Sequence, residues 1–309
     1  MKCTYIDLEQ PGLNMEPIVA CIGYFDGMHR GHQALLKKTC TLARRYGCQA
    51  GLITFAPDPW VTIYGLKENE LEHITMPAER LEIAQACGIK QVIILRFSKA
   101  MSQLSPSAFV REVLAKIPLK GLVCGFDFHY GALGKGNVDT LAKDVSYSVT
   151  VVDEVRDRGQ KISSSRIVAL IKEGKVAAAA KLMKRPFAIC GKVIHGAHNG
   201  AALGVPTANI AISPAYVKPL EGVYAGYAIV RGVSYPAMIN YGHNPTVQYR
   251  KSGSLEANII GFDGDLYGEE ITVQFIRFLR HEKRFSSLEA LQKQLFRDRQ
   301  TVLRIVGKK

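Results

Sequence analysis

The sequence predicts an α/β unit followed by an all-β unit and a C-terminal helix. Three patterns predict it. Apolar runs alternate with helical stretches through the first half. Short strand-like runs, separated by Gly, Asn and Asp, follow Arg185-Pro186. One amphipathic stretch closes the chain. A length of 309 residues sets an expectation of about two domains.

In the first half, the apolar runs 17–24, 49–55, 91–95 and 121–124 read as buried strands, with a fifth at 147–152. Helical patterns lie between them at 32–46, 78–87 and 107–117. The second follows Pro77, a favoured first helical position. Strands alternating with helices imply a parallel sheet covered on both faces. Two more helices are expected at 164–172 and 175–183, the first capped by Ser163 or Ser164. The strand-like runs 187–194, 222–231, 234–241, 255–260 and 271–279 predict an antiparallel barrel or sandwich. The final helix is expected over 287–306, with Leu288, Leu291, Leu295 and Val302 near helical spacing. The domain boundary is placed near Lys184, giving 1–184 and 185–309. No internal repeat is present.

Composition narrows the class. Hydrophobic residues make up 47% and charged residues 22%, ordinary for a soluble globular chain. No apolar run approaches the ~18 residues of a membrane span. Residues 1–14 carry Asp7 and Glu9 and no apolar core, unlike a secretion signal. The seven cysteines, Cys3, Cys21, Cys40, Cys48, Cys87, Cys124 and Cys190, are odd in number and form no C-x-x-C pair. They read as small buried hydrophobes in a reducing cytoplasm. The formal charge of +13 suits nucleic acid, an anionic surface or phosphorylated small molecules. Its cations are scattered, apart from 277–284 and 307–309, so no nucleic-acid or membrane partner is expected. Nothing in the sequence sets an oligomeric state.

The first constellation is Gly23-Tyr24-Phe25-Asp26-Gly27-Met28-His29-Arg30-Gly31-His32, where the first expected strand passes into the first helix. In an α/β sheet that edge binds ligands. Gly27 and Gly31 let backbone approach a ligand closely. The helix start offers free N–H groups and a positive dipole end to a phosphate. His29 and His32 add hydrogen-bond donors to the same region. This suits nucleotidyl transfer, in which charge builds on the oxygens of an attacked α-phosphate and no covalent intermediate is needed. The competing readings are a metal pair, for which no third ligand is obvious, and two surface histidines at a helix start. Later, Ile162-Ser163-Ser164-Ser165-Arg166 opens a helix with hydroxyls, amides and one guanidinium. It reads as a second anion clamp or as an ordinary capped helix.

The second constellation lies in the all-β part. A Gly-rich segment, 196–204, contains Gly200 and Gly204 and suits a flap over phosphates. Thr207 and Asn209 follow, two residues apart and therefore on one side of an extended strand. A hydroxyl and an amide oxygen can share a hard Mg²⁺ with ATP phosphates. The P-loop pattern is absent. Glu256, in Ser254-Leu255-Glu256-Ala257-Asn258, is the candidate base; taken alone it reads as a surface strand residue.

Together these motifs resemble a known family. F-D-G-M-H-R-G-H-Q, Thr54-Phe55-Ala56-Pro57, Gly125-Phe126-Asp127-Phe128 and Ile-Ser-Ser-Ser-Arg are similar to the adenylyltransferase module of the bacterial bifunctional riboflavin kinase/FMN adenylyltransferase (FAD synthetase) family. Gly-x-Pro-Thr-Ala-Asn, Gly222-Val-Tyr-Ala225, Asn244-Pro245-Thr246, Leu255-Glu256 and Asp265-Leu-Tyr267-Gly268 resemble its kinase module. The match spans about residues 15–305. The resemblance implies a Rossmann-like nucleotidyltransferase domain, a six-stranded antiparallel β-barrel and a C-terminal helix. It implies that Gly23, Phe25, Asp26, Gly27, His29, Gly31, His32, Ser164, Ser165 and Arg166 bind ATP, and that Thr54, Pro57, Asp127 and Phe128 line the FMN site. Riboflavin is then phosphorylated to FMN, and FMN adenylylated to FAD, at two sites with ATP and Mg²⁺.

The sequence departs from the commoner family pattern at several positions. Asp58 stands where a histidine is usual, His129 where an arginine is, Ser165 where a threonine is, and Val168 where a second arginine is. Ala201 and Ala202 stand near a usual arginine. Val205 and Val247 replace aromatics, and Asn258 a histidine. Both activities are expected with altered kinetics, and the flap changes make the kinase the weaker candidate. A dedicated FMN adenylyltransferase is the first alternative, and a non-enzymatic flavin- or RNA-binding regulator the second. An aminoacyl-tRNA synthetase shares H-x-G-H, but no Lys-Met-Ser-Lys-Ser-like loop or anticodon domain is present.

Overall fold

The computed structural model describes residues 1–195, 205–242 and 253–307. The chain packs as two units. One comprises Met1–Leu71 with Thr75–Ser163, the other Glu72–Ile74 with Ser164–Lys309.

The first unit is a six-stranded parallel sheet in the order β1-β4-β3-β2-β5-β6. Its strands are β1 (Lys2–Ile6), β2 (Ile18–Ile22), β3 (Gln49–Ala56), β4 (Gln91–Arg96), β5 (Leu119–Gly125) and β6 (Ser148–Val152). The helices between them are α1 (Arg30–Arg45), α2 (Pro59–Tyr64), α3 (Pro77–Ala86), α4 (Lys99–Ser102), α5 (Pro106–Glu112) and α6 (Val138–Asp144). Strand β2 shows why these strands read as unbroken apolar runs. Ile18, Ala20 and Ile22 join the core on one face, with Phe109 and Leu141. Val19 and Cys21 join the core on the other, with Leu36 and Ala43 of α1. Both faces are covered, so alternation disappears.

Two expectations differ here. The helix expected over 107–117 stops at Glu112, and Leu114–Lys116 forms a separate 3-10 turn. Val113, with φ −117° and ψ −62°, leaves helical geometry between them. Strand β1 was not expected, because only Ile6 of its five residues is fully buried.

The second unit contains a closed antiparallel barrel. The β7 (Arg156–Asp157) and β8 (Gln160–Lys161) hairpin precedes it in the first unit. Helices α7 (Ser164–Lys172) and α8 (Val176–Met183) come next. Strands β9 (Phe187–Ile194), β10 (Ala208–Ile212), β11 (Gly222–Val230), β12 (Val233–Gly242), β13 (Ser254–Ile259) and β14 (Glu270–Arg280) close in the order β10-β13-β12-β11-β14-β9. Closure removes both sheet edges and decides the barrel-or-sandwich choice. The boundary expected at Lys184 differs from the packing division at Ser163/Ser164. Helix α8 buries Val176, Ala179, Leu182 and Met183 and packs against β14 and β9, so it travels with the barrel.

The C-terminal helix α9 (Leu288–Val306) buries Val302 and Val306 against Val223, Ala225 and Met238 of β11 and β12. Its docking is also polar. Arg280 donates to Asp298 Oδ2 at 2.9 and 2.7 Å, and Gln294 donates to Asp298 Oδ1 at 2.8 Å. Both partners of this ion pair are largely buried. Removing one carboxylate leaves a buried guanidinium without its counter-charge. Asp298→Ala is therefore expected to destabilise the barrel unit by about 3 kcal/mol, read as faster hydrogen exchange in β14 and α9. Unchanged exchange there would contradict this docking role.

Candidate functional site

Parallel strands end on one edge, which gathers the first constellation. Ile22 of β2 is level with Ile53 of β3, and Cys21 with Val123 of β5. The segments 23–29, 57–58 and 126–130 therefore leave three adjacent strands at their C-terminal ends. The strand order reverses around β2, the place where open α/β sheets bind ligands.

The loop after β2 is tightly specified. Gly23 donates its N–H to Ile53 O at 3.1 Å. Phe25, Gly27 and Met28 have φ of 63°, 75° and 39°, a left-handed stretch that glycine favours and the other two tolerate at a cost. His29 then caps α1, its Nδ1 accepting the His32 N–H at 3.3 Å. The two imidazoles stack at 3.7 Å between centroids, and Phe25 meets His32 edge-on at 5.2 Å. Gly31 has a reason of its own. A Cβ there would lie 3.0 Å from the His29 ring, tighter than ordinary contacts. The imidazole pair therefore sits at the start of a 16-residue helix, where a phosphate gains from free amides and the dipole. For the metal-pair reading, the described residues contain no cluster of three His, Cys, Asp or Glu.

Asp26 faces inward to the scaffold. Its Oδ1 accepts from Thr75 N at 3.0 Å, from Thr75 Oγ1 at 3.4 Å and from Arg80 Nη2 at 3.2 Å. Thr75 Oγ1 in turn accepts the Gly27 N–H at 2.7 Å. Thr75 and Arg80 escaped the sequence reading, because they lie about fifty residues from the loop they serve.

On the neighbouring strands, Thr54 lies within β3 and Pro57 follows it through a cis Ala56–Pro57 bond. Asp58, the first departure from the family pattern, caps α2 by accepting the Trp60 N–H at 2.8 Å. Burial pushes the Tyr24 phenol up; Arg80 opposes this and Asp58 reinforces it. After β5, Phe128 stacks on Tyr130 at 5.8 Å, and Asp127 pairs with Lys161. The His129 ring nitrogen Nδ1 lies 3.0 Å from Asp127 O. Ser164, Ser165 and Arg166 form the first turn of α7, in the second unit, and Val168 lies one residue beyond Ile167 on the same helix.

The barrel aligns a second polar group by register. Asn209 of β10 pairs with Glu256 of β13, and Glu256 pairs with Asn240 of β12. Directly opposed residues share a face of the sheet, so the three side chains form one row. Thr207, two residues before Asn209, donates its hydroxyl to Glu256 Oε2 at 3.5 Å. Asn240 was not singled out from sequence; its signal is one amide within the apolar run 237–241. It donates to Glu282 Oε1 at 3.1 Å. Burial raises the Glu256 pKa above 4.5, the Thr207 hydrogen bond lowers it, and the charge of Glu282 raises it. Asn258, where the family has a histidine, is buried and donates to Pro206 O at 2.7 Å, tying down the residue before Thr207. Val205 is buried in the core cluster that includes Val302 and Val306 of α9. The expected flap residues Gly200 and Gly204, with Ala201, Ala202 and the stretch 244–247, lie outside the described residues.

A hydroxyl, an amide oxygen and a carboxylate are hard oxygen donors, and their chemistry fits Mg²⁺ beside phosphates.

Comparison with known proteins joins the two halves. The FAD synthetase family matches residues 13–166, and the riboflavin kinase family residues 183–306. A bifunctional riboflavin kinase/FMN adenylyltransferase of Listeria monocytogenes is 36% identical over 284 residues, spanning 91% of this chain and 90% of its own. The one from Escherichia coli K12 is 32% identical over 297 residues, spanning 94% of each. A crystal structure described as a macrolide-efflux protein from Streptococcus pneumoniae matches at TM-score 0.90 and 30% identity, covering 98% of this chain and 99% of that one. No described helix of the present chain is long and apolar enough to cross a membrane. With both family matches in one order along one chain, and curated relatives spanning nine-tenths of it, this chain belongs to the bifunctional riboflavin kinase/FMN adenylyltransferase family.

Proposed function

We propose that the two activities of this bifunctional enzyme run on two separate residue sets, one around the imidazole pair and one in the barrel. The observation that carries this reading is the barrel row Asn209–Glu256–Asn240, which is independent of the imidazole pair at the sheet edge.

For adenylyl transfer, the FMN phosphate oxygen attacks the α-phosphorus of ATP, and the bond to pyrophosphate breaks. The chain has no nucleophile to supply. His29, His32 and the amides opening α1 stabilise charge on the phosphate oxygens. Ser164, Ser165 and Arg166 are assigned to ATP on the sequence resemblance, as are Gly23, Phe25, Gly27 and Gly31. Thr54, Pro57, Asp127 and Phe128 are assigned to FMN in the same way. Asp26 serves the same site from behind the loop.

For phosphorylation, the terminal hydroxyl of riboflavin attacks the γ-phosphorus of ATP, and ADP leaves. Thr207 and Asn209 would hold Mg²⁺, which would offset the phosphate charge. Glu256 takes the hydroxyl proton. Its raised pKa makes it a stronger base than an ordinary carboxylate, and Asn240 holds Glu282 at a fixed place near it. None of the seven cysteines forms a disulfide, which suits a reducing cytoplasm.

Division of labour has a direct test. His32→Ala is expected to abolish FAD formation from FMN and ATP while leaving FMN formation nearly intact, and Glu256→Gln the reverse, with phosphorylation lower by ~10²-fold or more. Loss of both activities in either folded variant would refute separate sites.

The metal assignment predicts that Thr207→Ala and Asn209→Ala each raise the Mg²⁺ concentration needed for half-maximal kinase activity, by about tenfold. Adenylylation should be unaffected. A Mg²⁺ dependence identical to wild type in both variants would overturn the assignment.

The pH dependence follows from the base. Glu256 must be ionised to act, and burial opposes ionisation, so the acid limb of the kinase rate should lie at higher pH than for an unburied carboxylate. Glu282→Gln removes a like charge that raises the Glu256 pKa, so it should move that limb to lower pH. A limb that stays put, or moves up, would disconnect Glu282 from the base.

A further inference from the structure

We infer that Arg80 is a positioning residue of the adenylyl-transfer site, acting through Asp26 and Thr75 to hold the loop that presents His29 and His32. This rests on the reading of that loop as the ATP site.

Arg80 lies on α3 and is 5% exposed, yet all of its nitrogens are engaged by the loop or its support. Nε donates to Thr75 O at 2.9 Å, Nη1 to Tyr24 O at 3.3 Å, and Nη2 to Asp26 Oδ1 at 3.2 Å. Its guanidinium carbon sits 4.2 Å from the centre of the Tyr24 ring. The ion pair with Asp26 is shielded from water, with side-chain exposures of 6% and 12%.

These contacts fall where the loop backbone takes conformations that L-residues disfavour. Phe25, Gly27 and Met28 occupy the left-handed region, so the backbone favours other shapes once released. Residues 24, 26 and 27 are each tied down from outside: Tyr24 by its carbonyl and ring, Asp26 by its carboxylate, Gly27 by its N–H on Thr75. Met28 O accepts from Gln33 Nε2 at 2.8 Å and its N–H donates to Phe25 O at 3.2 Å, and His29 follows, its Nδ1 capping α1. A guanidinium suits this task because its flat fork reaches three acceptors in three directions while one face stacks on an aromatic ring. An ammonium offers one point charge and no such face. The Arg80 side chain contacts Tyr24, Asp26 and Thr75, so it acts through the loop.

A positioning role predicts an effect on the transition state beyond that on ground-state binding, since small displacements of oriented donors reduce rate steeply. Arg80→Met should lower the kcat of FAD formation by about 10- to 100-fold, with the KM for ATP changed by less than about threefold. Arg80→Lys should restore part of the rate. Asp26→Asn should also lower kcat, and the Asp26→Asn/Arg80→Met double variant should fall short of the product of the two losses, because both act through one contact. Riboflavin phosphorylation by the same preparations gives the control for intact protein. Should Arg80→Met not fold, Arg80→Lys and Asp26→Asn, which keep the buried polar character, carry the same comparison. Wild-type kcat in Arg80→Lys and Asp26→Asn, or fully multiplicative losses in the double variant, would overturn the proposal. His32→Ala, assayed alongside, separates the two readings. Normal FAD formation in that variant would refute the ATP site itself. Loss in His32→Ala with wild-type kcat in the Arg80 variants would refute only the positioning role.

Discussion

The proposed adenylyl-transfer site depends on a turn with an unfavoured backbone and on the buried ion pair that braces it. Two non-glycine residues, Phe25 and Met28, sit at positive φ, costing of order 1–3 kcal/mol each. Against this stand hydrogen bonds from a guanidinium to two carbonyls and a carboxylate, each worth about 1.5–3 kcal/mol when a charged group takes part. The clamp is of the right size to offset the strain. The strain in turn has a consequence: chain leaving β2 is turned so that His29 caps α1 and stacks on His32. A relaxed loop would still join strand to helix, but without that placement.

The barrel solves the corresponding problem with backbone register instead of a side-chain clamp. Asn209, Glu256 and Asn240 come from three strands and meet because β10, β13 and β12 pair at those positions. A slip of one residue would turn Glu256 to the other face of the sheet. The closed barrel prevents that slip, since every strand is paired on both sides and Phe187, Tyr224 and Phe275 interlock by ring contacts at 5.5 and 5.1 Å. Asn258 shows how a departure from the family pattern is absorbed. Its amide bonds the backbone before Thr207, which braces the proposed metal ligand by a contact of its own.

Much of this was legible in the sequence, and the gaps have physical causes. Strands β2 to β5 announced themselves as apolar runs because both faces of the sheet are covered. Strand β1 did not, since its first four residues keep contact with solvent at the sheet edge. The helix over 107–117 looked continuous because periodicity does not register one residue leaving helical geometry at Val113. Helices α7 and α8 carry an ordinary amphipathic pattern, and nothing local says that α8 packs on barrel strands β14 and β9, with α7 against α8. The imidazole pair, Thr207, Asn209 and Glu256 were visible because each belongs to a short motif. Arg80 and Thr75 were not, because α3 reads as a plain helix after Pro77 and their partners lie 48 to 56 residues away. Glu282 was similarly hidden within the basic stretch 277–284, although it bears on the charge of Glu256.

The exchange rate of the Gly27 amide tests the held loop most directly. In wild type that N–H is bound to the Thr75 hydroxyl, so peptide-level hydrogen exchange over 24–28 should show a protected amide in the absence of any nucleotide. Thr75→Val and Arg80→Lys should each release it, while protection in the β2 and β3 cores stays the same. Exchange over 24–28 at the rate of an unstructured peptide in the wild-type protein, or protection untouched by both substitutions, would contradict a loop held in place by Thr75 and Arg80.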